Sequence, residues 1–351
     1  MMTQTIQKAG TTAPPASKSG EFSFGSVLRR PETGAFFGLL FVFVFFTIFG
    51  GINFLAPTGA ASYLNVAANL GIVALPIGLL MIAGELDISI GSMIPAGAMT
   101  VAIISGYFGA PIIVGMAASL AFGVVVGLIN GVLVVRTAVP SLIVTLGTLF
   151  AVQGLVLGLS VLLTGTTSVP LYAAGWAKFV FGSFIGGSYQ VTIFWWIVIA
   201  AIYAFVMHLS PYGNWVFAMG GDKVSARNAG IPTDKVTITL FVLSATSAAF
   251  VGMCQTILYN SAQVSGGMSF IFNAIIAVVV GGVLLTGGFG SVIGIVFGTL
   301  TFSIVNQGIY FTDFDANWSS LIIGILLLLA VLMNNTFRKM ALSYSPKKGK
   351  K

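Results

Sequence analysis

The sequence is poor in charged residues, cysteine and histidine. Only 7% of its 351 residues are charged and 57% are hydrophobic, whereas a soluble globular domain carries roughly 25% charged residues. Such a chain has too few polar groups to cover its surface in water, so the composition favours a protein embedded in a lipid bilayer. The single cysteine, Cys254, excludes a disulfide within the chain and lies in an apolar stretch, as a packing residue does.

The sequence also lacks the motifs of nucleotide, metal and nucleic-acid sites. No Gly-x4-Gly-Lys-Ser/Thr loop is present to hold the phosphates of a nucleotide. The one histidine, His208, ends an apolar stretch and forms no cluster with acidic residues, so we predict neither a catalytic residue nor a metal site. The net charge of +7 comes from basic residues in tails and loops, which argues against a nucleic-acid surface.

Long apolar stretches dominate what remains. A membrane helix needs about 20 predominantly apolar residues, and this rule predicts an all-α polytopic membrane protein with about ten transmembrane helices. The predicted spans are 36–52, 64–82, 88–106, 111–135, 141–163, 191–209, 236–258, 271–286, 290–307 and 318–335. Spans 2–5 and 7–10 would run in opposite directions, and two of them end in similar glycine-spaced runs, which favours an inverted repeat.

The basic residues indicate the orientation of these spans. With both tails in the cytoplasm, the inner segments hold 14 of the 15 lysine and arginine residues, and only Lys178 lies outside. We therefore expect a disordered cytoplasmic tail at 1–35, a transmembrane domain at 36–335 and a basic cytoplasmic tail at 336–351. The outer loop 164–190 is predicted to contain a short amphipathic segment.

The inner loop 210–235 is the most polar segment between spans. Asp222 is a suitable N-cap for a short helix, which Gly230 and Pro232 would end. Such a helix would project from the inner face as a contact for a cytoplasmic partner. A solvated connecting loop explains the composition equally well.

Two acidic residues, Glu85 and Asp87, lie between the second and third spans. An acid at membrane depth costs roughly 2.5–3.5 kcal/mol on insertion scales, so it usually faces a cavity or a partner. The flanking Gly84 and Gly91 would permit an unwound backbone lining the pathway. A tight turn facing the cytoplasm is the alternative.

Carboxamides also occur within the spans. They either contact a hydroxylated substrate or, more commonly, hydrogen-bond across helices, and they are Asn69, Asn130, Gln153, Gln255, Asn273 and Asn306. An ion-coupled carrier usually has buried acids or histidines in several spans, and few are present here. The sequence thus favours an uncharged substrate with energy supplied by another chain. A self-sufficient secondary carrier or channel for a small neutral solute is the alternative.

Four motifs, in this order along the chain, resemble the membrane permease of ribose/xylose-type sugar ABC importers. They are GELDISIGS at 84–92, VPSLIVTLGT at 139–148, GGDKVSARNAGI at 220–231 and VGGVLLTGGFGS at 280–291 followed by Gly294 and Gly298. The resemblance extends over about residues 60–336. Glu85 replaces a glycine of the family motif, Asp222 stands where asparagine is common, and Gln307 separates Asn306 from Gly308.

The resemblance implies a permease subunit in the bacterial plasma membrane, moving a sugar or polyol delivered by a periplasmic binding protein. The other implied partners are a second permease copy and a cytoplasmic tandem-domain ATPase that binds the ATP and Mg²⁺, so this chain would hold no cofactor. The expected ATPase-coupling residues are Asp222, Lys223, Ala226, Arg227 and Gly230. The expected pathway or gate residues are Glu85, Asp87, Ser89, Asn130 and Asn306. The motifs do not identify the sugar.

Overall fold

The computed structural model describes residues 31–137, 139–173, 175–318, 321–329 and 331–332. Helices account for most of this part of the chain, and the strands are only two or three residues long. The helices are α1 (Pro31–Phe49), α2 (Gly51–Leu55), α3 (Pro57–Ile82), α4 (Ile90–Val101), α5 (Ile112–Arg136), α6 (Ser141–Thr164), α7 (Gly175–Phe181), α8 (Thr192–Leu209), α9 (Pro211–Gly221), α10 (Lys223–Asn228), α11 (Thr233–Tyr259), α12 (Met268–Val280) and α13 (Val292–Gly308). A π-helical turn, Ala102–Tyr107, continues α4, and residues 321–329 and 331–332 are also helical.

The all-α membrane fold is confirmed. Within the described residues, eight helices are long and apolar enough to cross a membrane. The predicted span 271–286 corresponds to α12, whose 13 residues reach only about 20 Å at 1.5 Å per residue. The predicted span 318–335 is helical where it is described. The inverted repeat stays a prediction.

The first described helix starts five residues before the predicted boundary of the N-terminal tail. Helix α1 begins at Pro31, so residues 31–35 belong to the helix and not to the tail. Proline is favoured in the first helical turn because its missing N–H would have no partner there. Residues 1–30 and 333–351 lie outside the described part, so the expected tails do too.

The centre of the bundle is formed by α3, α4 and α11. Helix α3 is buried from Ala67 to Ala83. Helix α5 approaches α11 through glycines spaced four residues apart, Gly123, Gly127 and Gly131, each of which faces the backbone of α11 so closely that a methyl group would clash. Small residues at this spacing let membrane helices pack backbone to backbone, and they fix α11 against α5.

The two ends of the bundle differ. At one end, α9 and α10 lie beside the 83–89 connection and the start of α6. At the other end, the strand β1 (Ser168–Pro170) pairs antiparallel with β4 (Ser261–Gln263), and β2 (Phe184–Ile185) pairs with β3 (Tyr189–Gln190). The predicted amphipathic segment in loop 164–190 is the short helix α7, with exposed Trp176 and Phe179.

Candidate functional site

The connection 83–89 is a break between α3 and α4, built by a glycine. Gly84 has a φ of +85°, and the amides of Gly84 and Glu85 donate to the carbonyls of Met81 and Leu80 at 3.0 and 2.9 Å. This is the Schellman arrangement, which ends a helix and satisfies its last carbonyl groups. The chain then runs without helical structure to Ser89, as the sequence predicts for an unwound segment.

Helix α6 holds the backbone of this break. The hydroxyl of Ser141 accepts from the amide of Leu86 at 3.1 Å, and the hydroxyl of Thr145 accepts from the amide of Ile88 at 3.3 Å. Both hydroxyl residues belong to the motif 139–148. Side-chain hydroxyls thus satisfy backbone groups that no helix satisfies, which a buried segment of this kind requires.

Asp87 starts a buried chain of polar side chains. Its Oδ1 accepts from the amide of Ser89 at 2.9 Å and from the Ser89 hydroxyl at 2.6 Å. Asn130 Nδ2 donates to the same hydroxyl at 3.0 Å, and Thr148 Oγ1 donates to Asn130 Oδ1 at 2.6 Å. Asp87, Ser89 and Asn130 are each no more than 1% exposed, so the alternative of acids facing the cytoplasm fails for Asp87. Its other oxygen, Oδ2, is buried without a partner in the described residues.

Glu85 lies nearer the surface and pairs with helix α10. Its Oε1 is 2.5 Å from Nζ of Lys223 on α10, with side-chain exposures of 12% for Glu85 and 35% for Lys223. Glu85 stands where the related motif has glycine, and its partner lies 138 positions away. The ion pair therefore joins the break to α10 in a way that the motif alone does not predict.

Helix α10 forms as the sequence predicts. Asp222 Oδ1 accepts from the amide of Ser225 at 2.8 Å, which is an N-cap bond. Gly230, with a φ of +86°, ends the helix. Ala226 is buried, whereas Arg227 pairs with Asp234 and donates to Thr233 Oγ1 at 3.1 Å. Arg227 thereby ties α10 to the start of α11.

A backbone junction joins α9 to the same end of the bundle. The amide of Gly288 donates to the carbonyl of Ile82 at 2.8 Å. A methyl group at Gly220, near the end of α9, would lie 1.8 Å from the Ile82 oxygen and 2.3 Å from the Gly288 nitrogen. The end of α9 thus meets α3 and the 281–291 segment with no space between the backbones. At the neighbouring Gly221, the same methyl group would meet nothing within 4 Å.

A polar cavity lies beside the middle of α3, away from the break. Its volume is about 260 Å³, and none of its lining residues is charged. Asn69 on α3 is 13 residues from Ile82, or about 20 Å along the helix, and Asn306 on α13 lines the same cavity. The complete lining is Asn65, Val66, Asn69, Leu70, Gln190, Gln255, Tyr259, Phe270, Asn273, Phe302 and Asn306.

The predicted pathway residues therefore fall into two groups. Glu85 lies in the break together with the Asp87, Ser89 and Asn130 chain, whereas Asn306 belongs to the cavity. Asn65 and Gln190, which also line the cavity, were not predicted from the sequence. The spacing by four residues of Asn65 and Asn69 was a signal for one shared helix face.

Residues 59–331 match the family described as branched-chain amino acid transport system / permease component. The match covers more than half of the chain and includes the break, helices α9 and α10, and the cavity. The chain belongs to this permease family. It is a non-catalytic transport subunit and a multi-pass protein of the bacterial inner membrane.

Two relatives illustrate the range of the family. The permease is 30% identical over 265 residues to the autoinducer 2 import system permease protein LsrD of Salmonella typhimurium, covering 75% of this chain and 79% of the relative. It is 29% identical over 297 residues to the ribose import permease protein RbsC of Escherichia coli, covering 83% of this chain and 87% of the relative. No solved structure matches the permease.

Proposed function

We propose that this permease carries a sugar or polyol inward through an ATP-driven importer, receiving it from a periplasmic binding protein. The importing relatives named for ribose and for autoinducer 2 support this substrate class. The uncharged lining of the cavity supports it as well, because a neutral hydroxylated substrate needs no ionic partner. The ATP and Mg²⁺ belong to a separate tandem-domain ATPase.

The end of the bundle that carries α9 and α10 faces the cytoplasm in this proposal. Of the five lysine and arginine residues in the described part, Arg136, Lys223, Arg227 and Lys235 lie at that end and Lys178 at the other. An excess of basic residues marks cytoplasmic loops. With an even number of spans, both termini are cytoplasmic.

The ATPase would dock on α9 and α10, with Asp222, Lys223, Ala226, Arg227 and Gly230 forming or shaping the contact. The observation that carries this proposal is the double attachment of α10, through Lys223 to the break after α3 and through Arg227 to the start of α11. A displacement of α10 would therefore move both the break after α3 and the start of α11. A second permease copy completes the transporter, and the binding protein docks at the opposite face.

The break would serve as the gate. Glu85 receives the movement of α10, and the Asp87, Ser89 and Asn130 chain transmits it to α5 and, through Thr148, to α6. Interfaces and cores of this kind have discrete packed arrangements and do not deform continuously. A small shift of α10 would therefore switch the break between two states.

A pair of neighbouring glycines tests the coupling. We would reconstitute the permease with its ABC ATPase and binding protein in proteoliposomes and measure ATP-driven sugar uptake. Gly220→Ala should lower uptake strongly, because the added methyl group collides with two backbones; overpacking of this kind costs about 1–3 kcal/mol. Gly221→Ala, with open space at the same helix end, is the matched control and should transport normally.

Two results would contradict the proposed function. Equal uptake by the two alanine variants would show that the junction does not couple α9 to α3. Uptake by the permease alone, without ATPase or ATP, would establish a secondary carrier instead.

A further inference from the structure

The cavity beside the middle of α3 contains more carboxamides than its own hydrogen bonds use. Six of its eleven lining residues are asparagine or glutamine, and they come from α3, β3, α11, α12 and α13. A carboxamide that faces an apolar bundle without a partner is costly. Amides within membrane helices usually bond to one another across the interface. The bonds that these six make therefore decide their role.

One wall of the cavity is fixed by such bonds. Asn69 Nδ2 donates to the side-chain Oε1 of Gln190 at 2.9 Å. Asn65 Oδ1 accepts from the backbone N–H of Gln190 at 2.8 Å. Thr192 Oγ1 donates to the same Gln190 oxygen at 3.2 Å. Asn69 is only 9% exposed, yet its Oδ1 has no partner among the described residues. These bonds hold this wall in place, while Asn69 Oδ1 stays buried.

The facing wall is unpaired. Within the described residues, the side chains of Gln255 and Asn273 make no hydrogen bond, and Asn306 uses only its oxygen, which accepts from Gln307 at 2.8 Å. These amides do not join helices, so the interhelical role fits Asn69 and Gln190 but not this wall. Their free donors and acceptors converge on one space.

The chemistry of the lining matches one uncharged sugar ring. Each hydroxyl of a sugar both donates and accepts, as a carboxamide group does. Phe270, Phe302, Val66 and Leu70 offer apolar surface to the C–H groups of the ring. A volume of about 260 Å³ lies just below the range of roughly 300–1,000 Å³ that holds drug-sized ligands, which suits a single ring.

We propose that this cavity is a sugar-binding site within the permease, occupied during transport after the sugar leaves the binding protein. The inference rests on the proposed function and adds a defined binding site to the transport pathway. The site offers only neutral hydrogen bonds, which are individually weak. Affinity of millimolar order follows, and it allows the sugar to move on. Discrimination by an amide lining would add a second selection step to that of the binding protein.

The first stage of the test identifies the sugar. We would measure ATP-driven uptake of D-ribose, D-xylose, D-galactose and myo-inositol by the complete transporter in proteoliposomes. If none of the four is carried, further pentoses, hexoses and polyols are screened in the same assay; if no sugar or polyol is carried, the proposed function fails and the inference fails with it. The carried sugar then becomes the ligand for the second stage, which omits the binding protein.

The second stage detects the site directly. Saturation-transfer NMR on the permease–ATPase complex in nanodiscs should show millimolar contact with the ring protons of the carried sugar. Gln255→Leu and Asn273→Leu, on two different helices, should abolish this contact and lower the maximal uptake rate about tenfold, with the KM set by the binding protein unchanged. The matched control is Gln153→Leu on α6, an amide that does not line the cavity.

The results separate the two claims. Uptake by the wild type without saturation transfer to the sugar would overturn the site and leave the importer standing. Retention of contact and uptake in both cavity variants would also overturn the site. To exclude misfolding, each variant is accepted only if it still co-purifies with the ATPase; the two positions lie on separate helices, so one serves if the other fails.

Discussion

Charge reversal at Glu85 and Lys223 tests whether α10 acts on the break through their ion pair. At an effective dielectric constant of about 20, unit charges about 4 Å apart attract by roughly 4 kcal/mol. Ordering of the two side chains and the partial exposure of Lys223 reduce this figure. Exposed pairs retain about 0.2–1 kcal/mol, whereas removing one partner of a buried pair costs about 3–5 kcal/mol. With Glu85 12% and Lys223 35% exposed, we expect a coupling energy of about 1–2 kcal/mol.

This energy predicts the size of the effect on transport. Since about 1.4 kcal/mol corresponds to a factor of ten, Glu85→Lys and Lys223→Glu should each lower ATP-driven uptake about tenfold or more. Each reversal also creates like-charge repulsion between the break and α10. The double variant restores the attraction with the charges exchanged, so uptake should return to within about threefold of wild type. ATP hydrolysis measured in the same vesicles shows whether the loss is one of coupling.

A charge control accompanies the series. Lys235→Glu changes the net charge of the same face by the same amount, at an exposed residue with no ion pair in the described part of the chain. It should transport nearly as wild type does. If the losses of the two reversals simply add in the double variant, the ion pair does not couple α10 to the break, and the reasoning is refuted.

Three further predictions address other contacts. Arg227→Glu breaks the attachment of α10 to α11 and should uncouple ATP hydrolysis from uptake while the protein stays in the membrane; normal uptake would remove Arg227 from the coupling contact. Asp87→Asn brings an NH₂ group with two donors into a buried site, and an unsatisfied buried donor costs about 1–3 kcal/mol. Uptake should therefore fall while co-purification with the ATPase is retained. Full activity would show that the break is only a turn. Gly252→Ala places a methyl group 2.0 Å from the carbonyl oxygen of Ile94 and should lower thermal stability in detergent, whereas Gly154→Ala meets open space and should not; equal melting temperatures would contradict the packing of α4 on α11.

The course of the spans could be read from the sequence because lipid sets a minimum length for an apolar helix. The ends of α5, α6 and α8 lie within one residue of their predicted positions. The prediction of 271–286 as one span was less accurate. Gly282, with a φ of +90°, follows the end of α12, and the chain continues without helical structure through an equally apolar segment. Hydropathy does not distinguish a helix from a buried irregular segment.

The two candidate sites differ in how far the sequence reveals them. Helix α10 was predictable because its cap, Asp222, and its terminator, Gly230, lie within nine positions of each other. The cavity was not, because its bonds join Asn69 to Gln190 across 121 positions. The ion pair of Glu85 with Lys223 spans 138 positions. Local signals report local structure, and the pairing of distant polar groups depends on the packing that brings them together.

The double attachment of α10 has a thermodynamic consequence. Through Lys223 and Arg227, α10 holds the break after α3 and the start of α11. Helices α3 and α11 also supply four residues with polar side chains to the cavity: Asn65, Asn69, Gln255 and Tyr259. Coupling between two binding sites is reciprocal. If docking of the ATPase changes the affinity of the cavity for sugar by some factor, an occupied cavity changes the affinity of α10 for the ATPase by the same factor. Bound sugar would then influence the ATPase, and a permease with an empty cavity would limit ATP hydrolysis that moves no sugar.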